Sequence, residues 1–203
     1  MKTLFNYDLT LNEAIMLINN NVDVNEQDIY KQTPLYYIKS FDIAKVLLEN
    51  GANVHHFDTN GHTPLFKAAN KDIAKLLIQY GANVNHIDIY GLNALYYINN
   101  SDVIDILIQN KANFNAPNND YDAPLDYKID TACALAFIKH GAIPGKIITY
   151  EMFRDLFTEE QQKAFDAFLT ITPNDEDFFQ MCAAYQECIT NNNTLEIKDI
   201  YLL

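Results

Sequence analysis

Tryptophan is absent from this 203-residue chain, arginine occurs once, at Arg154, and there are only 3 cysteines. Lysine and arginine together number 14 against 27 aspartates and glutamates, a net charge of −13. Proteins that bind nucleic acid neutralise its phosphates with Lys and Arg, so neither nucleic acid nor an anionic membrane is an expected partner, whereas a basic protein is. Cys133, Cys182 and Cys188 are odd in number and have neither metal-type nor redox-type spacing. A disulfide framework is therefore not expected, and the reducing cytoplasm is the expected compartment. Asn6 and Asp8 interrupt the first residues before any apolar stretch forms, which argues against a secretory signal. No run approaches the ~20 apolar residues that a membrane helix requires. A glycine-rich phosphate loop, a Gly-x-Ser-x-Gly elbow and a Cys–His pair with a third member are also missing, so no catalysis, cofactor or metal is expected.

What is present is a folded composition: 49% of residues are hydrophobic and only 20% charged. The acid is unevenly placed. Residues 151–203 carry a net charge of −8 and residues 1–150 a net of −5. Gly-Ala-Asn-Val stands at Gly51–Val54 and again at Gly81–Val84, with degenerate relatives at Asn21–Val24, Lys111–Phe114 and Gly141–Pro144, a period of 30 residues. A fixed period in this range marks stacked units, none of which buries its apolar face alone.

Residues 58–87 show one period clearly. Asp58-Thr59-Asn60-Gly61 reads as a tight turn, after which Thr63 caps a helix that has Pro64 at its first position and runs to about Asn70. Asp72 then caps a second helix, Ile73-Ala74-Lys75-Leu76-Leu77-Ile78, and Gly81 supplies its left-handed stop. Upstream, Thr10-Leu11-Asn12-Glu13 is a capping box for a helix to about Asn19. Downstream, Tyr150–Phe157, Glu159–Leu169 and Asp175–Thr190 read as amphipathic helices, with Thr158…Gln161 as a capping box and Thr172-Pro173 opening the last. The expected organisation is an N-terminal half-repeat over 1–27, about four repeats over 28–146 and an acidic helical extension or cap over 147–203.

These residues resemble the ankyrin repeat: a Thr-Pro-Leu helix opening, a leucine-rich second helix and a Gly-Ala-Asn-Val close appear in order. Asp58–Ile87 and Asp88–Pro117 match best, Asp28–Phe57 keeps Thr33-Pro34-Leu35, and Asn118–Ile147 keeps Ala123-Pro124-Leu125. The resemblance covers roughly residues 10–146 and implies an all-α solenoid of helix-turn-helix units. It has departures. The repeats are shorter than the family's ~33 residues, with the shortfall placed between the two helices. The family's histidine after Thr-Pro-Leu is replaced by Tyr36, Phe66, Tyr96 and Asp126, so its bond to the threonine is lost and aromatic packing is expected to substitute.

The resemblance also implies that partner proteins are held at the turn tips and on the inner face of the first helix. Here the tips are Ile29, Tyr30 and Gln32; Thr59, Asn60 and His62; Ile89, Tyr90 and Leu92; and Asn119, Asp120 and Asp122. Ile-Tyr is an unusual choice for a solvated turn, which favours Gly, Asn, Asp and Ser, so these pairs read either as contact anchors or as groups packed on a neighbouring turn. Tyr37, Lys67, Tyr97 and Tyr127 share one position per repeat and form an expected ladder, lining a groove or filling space left by the short connection. His55, His56, His62 and His86 lack the Cys or carboxylate companions of a metal site, and His55 stands where other repeats have Asn. The carboxylates of Asp175-Glu176-Asp177 and Glu159-Glu160 read first as helix-end charges.

The expected function is a non-catalytic module that binds one protein partner and is a monomer when free. Resemblance to short acidic ankyrin proteins of bacterial or viral type implies an inhibitor, either an immunity protein that blocks a toxin or an effector that sequesters a host factor. The alternative is an assembly protein that uses the same surface for homo-oligomerisation.

Overall fold

The second helix of each repeat is built from three sequence signals at fixed offsets: a polar cap, an apolar stripe and a residue that tolerates positive φ. The computed structural model describes residues 3–6, 8–118, 122–128 and 130–142. The helices expected beyond Tyr150 lie outside the described residues. The chain divides into two compact units, Met1–Asn113 and Phe114–Leu203. In the first unit α1 (Leu11–Asn19), α2 (Phe41–Glu49), α3 (Lys71–Gln79), α4 (Ala94–Tyr97) and α5 (Ser101–Gln109) follow one another, with 3-10 turns at Pro34–Tyr36 and Pro64–Lys67. In the second unit a 3-10 turn, Pro124–Tyr127, precedes α6 (Thr131–Lys139). Among the described residues there is no strand, only an isolated antiparallel bridge between Ile87 and Asn93. No described helix is long and apolar enough to cross a membrane.

Within the first unit α2 packs between α1 and α3, and α3 packs against α5. Ile43, Ala44, Leu47 and Leu48 of α2 are buried, as are Ile73, Ala74, Leu76 and Leu77 of α3 and Val103, Ile104, Leu107 and Ile108 of α5. These stripes follow helical spacing, so stacking closes a continuous apolar layer that no single repeat could close.

The caps correct two expectations. Asn70, not Asp72, begins the second helix, its Oδ1 accepting from the amides of Asp72 at 3.1 Å and Ile73 at 3.0 Å. Ser40, Asn100 and Asp130 take the same repeat position and role. Asp72 instead sits in the first turn, where its charge favours the helix dipole. The first helix does not reach Asn70. It is a single turn ending at Lys67, and the side chain of Thr63 makes no capping bond to it. With 30 residues per unit, the chain must enter the second helix three residues after that turn closes. At the N-terminus the capping box is formed: Glu13 N–H donates to Thr10 Oγ1 at 3.3 Å, and Thr10 N–H to Glu13 Oε2 at 3.0 Å.

Each second helix ends alike. Ala52, Ala82 and Ala112 donate amides to Leu47, Leu77 and Leu107 carbonyls at 3.0, 2.9 and 2.9 Å, across Gly51, Gly81 and Lys111, which all have positive φ. Gly61 is different, because it serves a turn that abuts the next repeat. At φ +80° a Cβ there would lie 3.1 Å from Ile89 N and 3.2 Å from Asp88 Cα, whereas at Gly51, φ +87°, it would meet nothing within 4 Å. Gly51→Ala should therefore lose only the left-handed penalty, about 1 kcal/mol. Gly61→Ala should lose clearly more, because backbone of the next turn must shift. Thermal unfolding of the two variants side by side checks the order.

Candidate functional site

One aspartate organises each turn tip. Asp28 Oδ1 accepts from the amides of Tyr30 and Gln32, both at 2.8 Å. Asp58 Oδ1 accepts from Asn60 at 2.9 Å and His62 at 3.0 Å, and Asp88 Oδ1 from Tyr90 at 2.8 Å and Leu92 at 2.9 Å. The backbone closes the same loop: Lys31, Gly61 and Gly91 donate to the carbonyls of Asp28, Asp58 and Asp88, and each aspartate amide donates to the carbonyl four residues on. Lys31, Gly61 and Gly91 have φ of 61°, 80° and 77°, the left-handed residue that follows a tight turn. Adjacent tips are joined by Thr59 N–H to the Tyr30 carbonyl at 3.0 Å and Ile89 N–H to the Asn60 carbonyl at 3.1 Å.

Tips tied down from behind hold their outer side chains in solvent. Ile29 is 86% and Tyr30 58% exposed, and Ile89 and Tyr90 are 63% and 57% exposed. Thr59 and Asn60, at the tip between them, are exposed as well. Phe57 and Ile87, each one residue before a tip aspartate, are also exposed and extend the apolar row. They share a repeat position but lie outside the turn, so no turn signal in the sequence marks them.

Three expected contact residues turn inward. His62 is only 6% exposed, with Nε2 3.3 Å from Asp88 Oδ2 and Nδ1 3.7 Å from Asp58 Oδ2; neither ring nitrogen has hydrogen-bond geometry. Its ring stacks on Phe66 at 4.9 Å and meets Tyr97 edge-on at 4.7 Å. Gln32 is half-buried and donates from Nε2 to Asp58 Oδ2 at 2.7 Å, and Leu92 is half-buried. The cause is common to the position: amide and carbonyl of this residue both bind the tip aspartate, which sets its side chain against the next repeat. Asp120, with Asn119, lies outside the described residues. Asp122 is described, and its amide donates to Asn118 Oδ1 at 3.0 Å.

The expected tyrosine ladder anchors the tips. Tyr37 donates its hydroxyl to Asp28 Oδ2 at 2.5 Å and Tyr97 donates to Asp88 Oδ2; both rings are half-buried. In the second unit Tyr127 is exposed and its hydroxyl accepts from Asn118 Nδ2 at 2.7 Å, the same pairing with Asn for Asp. Lys67, the one lysine in this series, is exposed. Burial tends to raise the Asp28 carboxyl, but the Tyr37 hydroxyl and the amides of Gln32 and Tyr30 outweigh it and hold the group below its ordinary 3.8. Burial first, then the bond to Asp88, pushes the Tyr97 hydroxyl well above its ordinary range.

Aromatic packing does replace the lost histidine at Phe66, which contacts His62, Tyr97 and His86. At Tyr36 a hydrogen bond is added: the hydroxyl is shared between the His56 and His62 carbonyls at 2.8 and 2.7 Å. Among the described residues Thr33 Oγ1 is buried without a hydrogen-bond partner, the cost of the substitution. His56 and His86 place Nε2 2.7 and 2.8 Å from the Lys31 and Gly61 carbonyls, buttressing the left-handed residue of the preceding tip. In the second unit Lys128 occupies the core position of Ile38, Ala68 and Ile98, and burial pushes its ammonium down to about 8; burial likewise pushes the Cys133 thiol up to about 11. Both are groups of the interior.

A family model for ankyrin repeats, in three copies, matches residues 6–88 and again 38–118, more than half of the chain. Comparison with curated proteins gives no match.

The geometry of the first tip sets an acid limit. A carboxyl held low in the folded state stabilises above its unfolded value, and that stabilisation is lost as pH falls through the folded value. For Asp28 the window therefore opens below 3.8. Tyr37→Phe removes one lowering group, so the Asp28 carboxyl should titrate at higher pH in the variant than in the native chain, with the tip loosening correspondingly earlier. A carbon-13 NMR titration of the Asp28 carboxyl checks this, and identical curves would contradict the anchoring role of Tyr37.

Proposed function

Since the chain belongs to the ankyrin-repeat family, whose repeats serve as protein-interaction modules, we propose that it binds one protein partner through the tip row Ile29, Tyr30, Phe57, Thr59, Asn60, Ile87, Ile89 and Tyr90. The observation that supports this most is the exposure of Ile29, Tyr30, Ile89 and Tyr90 on turns fixed by Asp28 and Asp88, with Phe57 and Ile87 exposed beside the turns of Asp58 and Asp88. A side chain on a fixed backbone binds without the cost of ordering its turn and gains its burial, about 1.5–3 kcal/mol for each large residue. Such residues, ringed by small polar groups such as Thr59 and Asn60, are where binding energy concentrates at interfaces.

Capture of this kind inhibits a partner when the covered surface is the partner's working surface. We therefore read the chain as an inhibitor, of immunity or effector type, with the net charge of −13 accelerating encounter with a basic protein. Residues 147–203, with most of the excess acid, serve this steering. Tyr30→Ser combined with Tyr90→Ser should weaken binding of the partner recovered with the full chain by well over tenfold. Isothermal titration measures it. An unchanged affinity in a variant with native circular dichroism contradicts the placement, and concentration-dependent mass in light scattering of the native chain, absent in the variant, assigns the row to self-association instead.

A further inference from the structure

Lys67 breaks a pattern that the other repeats keep. At its position Tyr37 and Tyr97 use their hydroxyls to hold the Oδ2 atoms of Asp28 and Asp88. In the second repeat that duty is discharged from elsewhere, because Asp58 Oδ2 accepts from Gln32 Nε2 at 2.7 Å and has the His62 ring against it. Asp58 is buried and satisfied, so the residue at position 67 is released from anchoring, and here it is an exposed cation. Among the described residues its ammonium makes no hydrogen bond or ion pair, in contrast to Lys45 with Glu49 at 3.8 Å and Lys71 with Asp102 at 3.2 Å.

The surroundings give that cation a meaning. Lys67 belongs to the repeat whose tip carries Thr59 and Asn60, with exposed Phe57 just before the turn, and the tips on either side present Ile29-Tyr30 and Ile89-Tyr90. The tip carboxylates cannot answer it across this face: those of Asp58 and Asp88 are buried, and that of Asp28 is bound by Tyr37 and by two amides. Lys31, the left-handed residue of the first tip, is exposed and has the same sign. A partner that spans both apolar anchors crosses the repeat that carries this exposed ammonium. Leaving it unpaired is costly, and placing a second cation there more so.

Resting on the tip reading above, we propose that Lys67 is a specificity residue that receives a carboxylate from the partner, so that the recognised surface is apolar, acidic, apolar in sequence across the three tips. This concerns contact range. The net charge of the chain acts over a screening length of about 10 Å and steers approach, whereas Lys67 selects among surfaces already in contact, and a basic protein can still offer one carboxylate here.

A phage-displayed random-peptide library panned on the full chain tests this whatever the partner is. The expected winners carry Asp or Glu flanked by aromatic or aliphatic residues. Lys67→Met in the bait should weaken their binding by about tenfold, the loss of one charge-assisted bond, and Lys67→Glu should remove the acidic preference altogether. Winners without acidic enrichment, or winners indifferent to Lys67→Met yet dependent on Tyr30 and Tyr90, overturn the assignment of Lys67 and leave the tip reading standing. Winners that bind Tyr30→Ser/Tyr90→Ser as well as they bind the native chain overturn the tip reading itself. Because Lys67 is exposed and unbonded, the variants should retain the native melting curve, which the same preparations report.

Discussion

The tips at Asp28, Asp58 and Asp88 depend on the two oxygens of that one side chain in each repeat. Oδ1 of Asp28, Asp58 and Asp88 gathers the amides two and four residues on, which fixes the turn. Oδ2 binds something outside the turn: Tyr37 and Tyr97 from the following helical turn, or Gln32 from the preceding repeat. A carboxylate is suited to this because it accepts several bonds at once and strengthens each with its charge. The tip is thereby locked on its inner side with its outer side chains uninvolved. Isoleucine and tyrosine, poor residues for an independent turn, are tolerated because the aspartate and the left-handed residue at Lys31 or Gly91 supply the turn chemistry without them.

The same arrangement couples the repeats. Backbone bonds from Thr59 to Tyr30 and from Ile89 to Asn60 link tip to tip, while Asn25 and Asn85 reach across to the Gly51 and Lys111 carbonyls of the next repeat at 2.9 and 3.0 Å. Behind this polar seam lies the apolar layer of α2, α3 and α5. Ile29-Tyr30 and Ile89-Tyr90 are therefore carried on elements braced both by hydrogen bonds and by packing. Such preorganisation converts buried area into affinity with little loss to ordering.

The 30-residue period was sufficient to place the repeats, the second helices, their stops and the tips, since each rests on a short-range signal repeated several times. Where one local rule competed with another, the sequence misled. Asp72 is as good a cap as Asn70 by residue type, and only the length of the connection decides between them; aligning Ser40, Asn70, Asn100 and Asp130 would have shown the cap position. His62 reads as a polar tip residue, yet its amide and carbonyl are both held by Asp58, and a bond pattern of that kind is invisible in a list of side chains. The tyrosines at 37 and 97 were legible as a ladder but not as the second ligands of the tip aspartates. Phe57 and Ile87 carry no turn signal because they precede the turn. Lys128 reads as buried only when aligned to Ile38, Ala68 and Ile98.

The tips are rigid because aspartate holds their amides, and amide hydrogen exchange followed residue by residue by NMR tests this most directly. The amides of Tyr30, Gln32, Asn60, His62, Tyr90 and Leu92 should exchange slowly, in step with those in the middle of α2 and α3, although most of these side chains stand in or near solvent. Exchange at the rate of an unstructured chain would contradict the account, because the apolar row would then be a set of mobile loops and not a preformed surface.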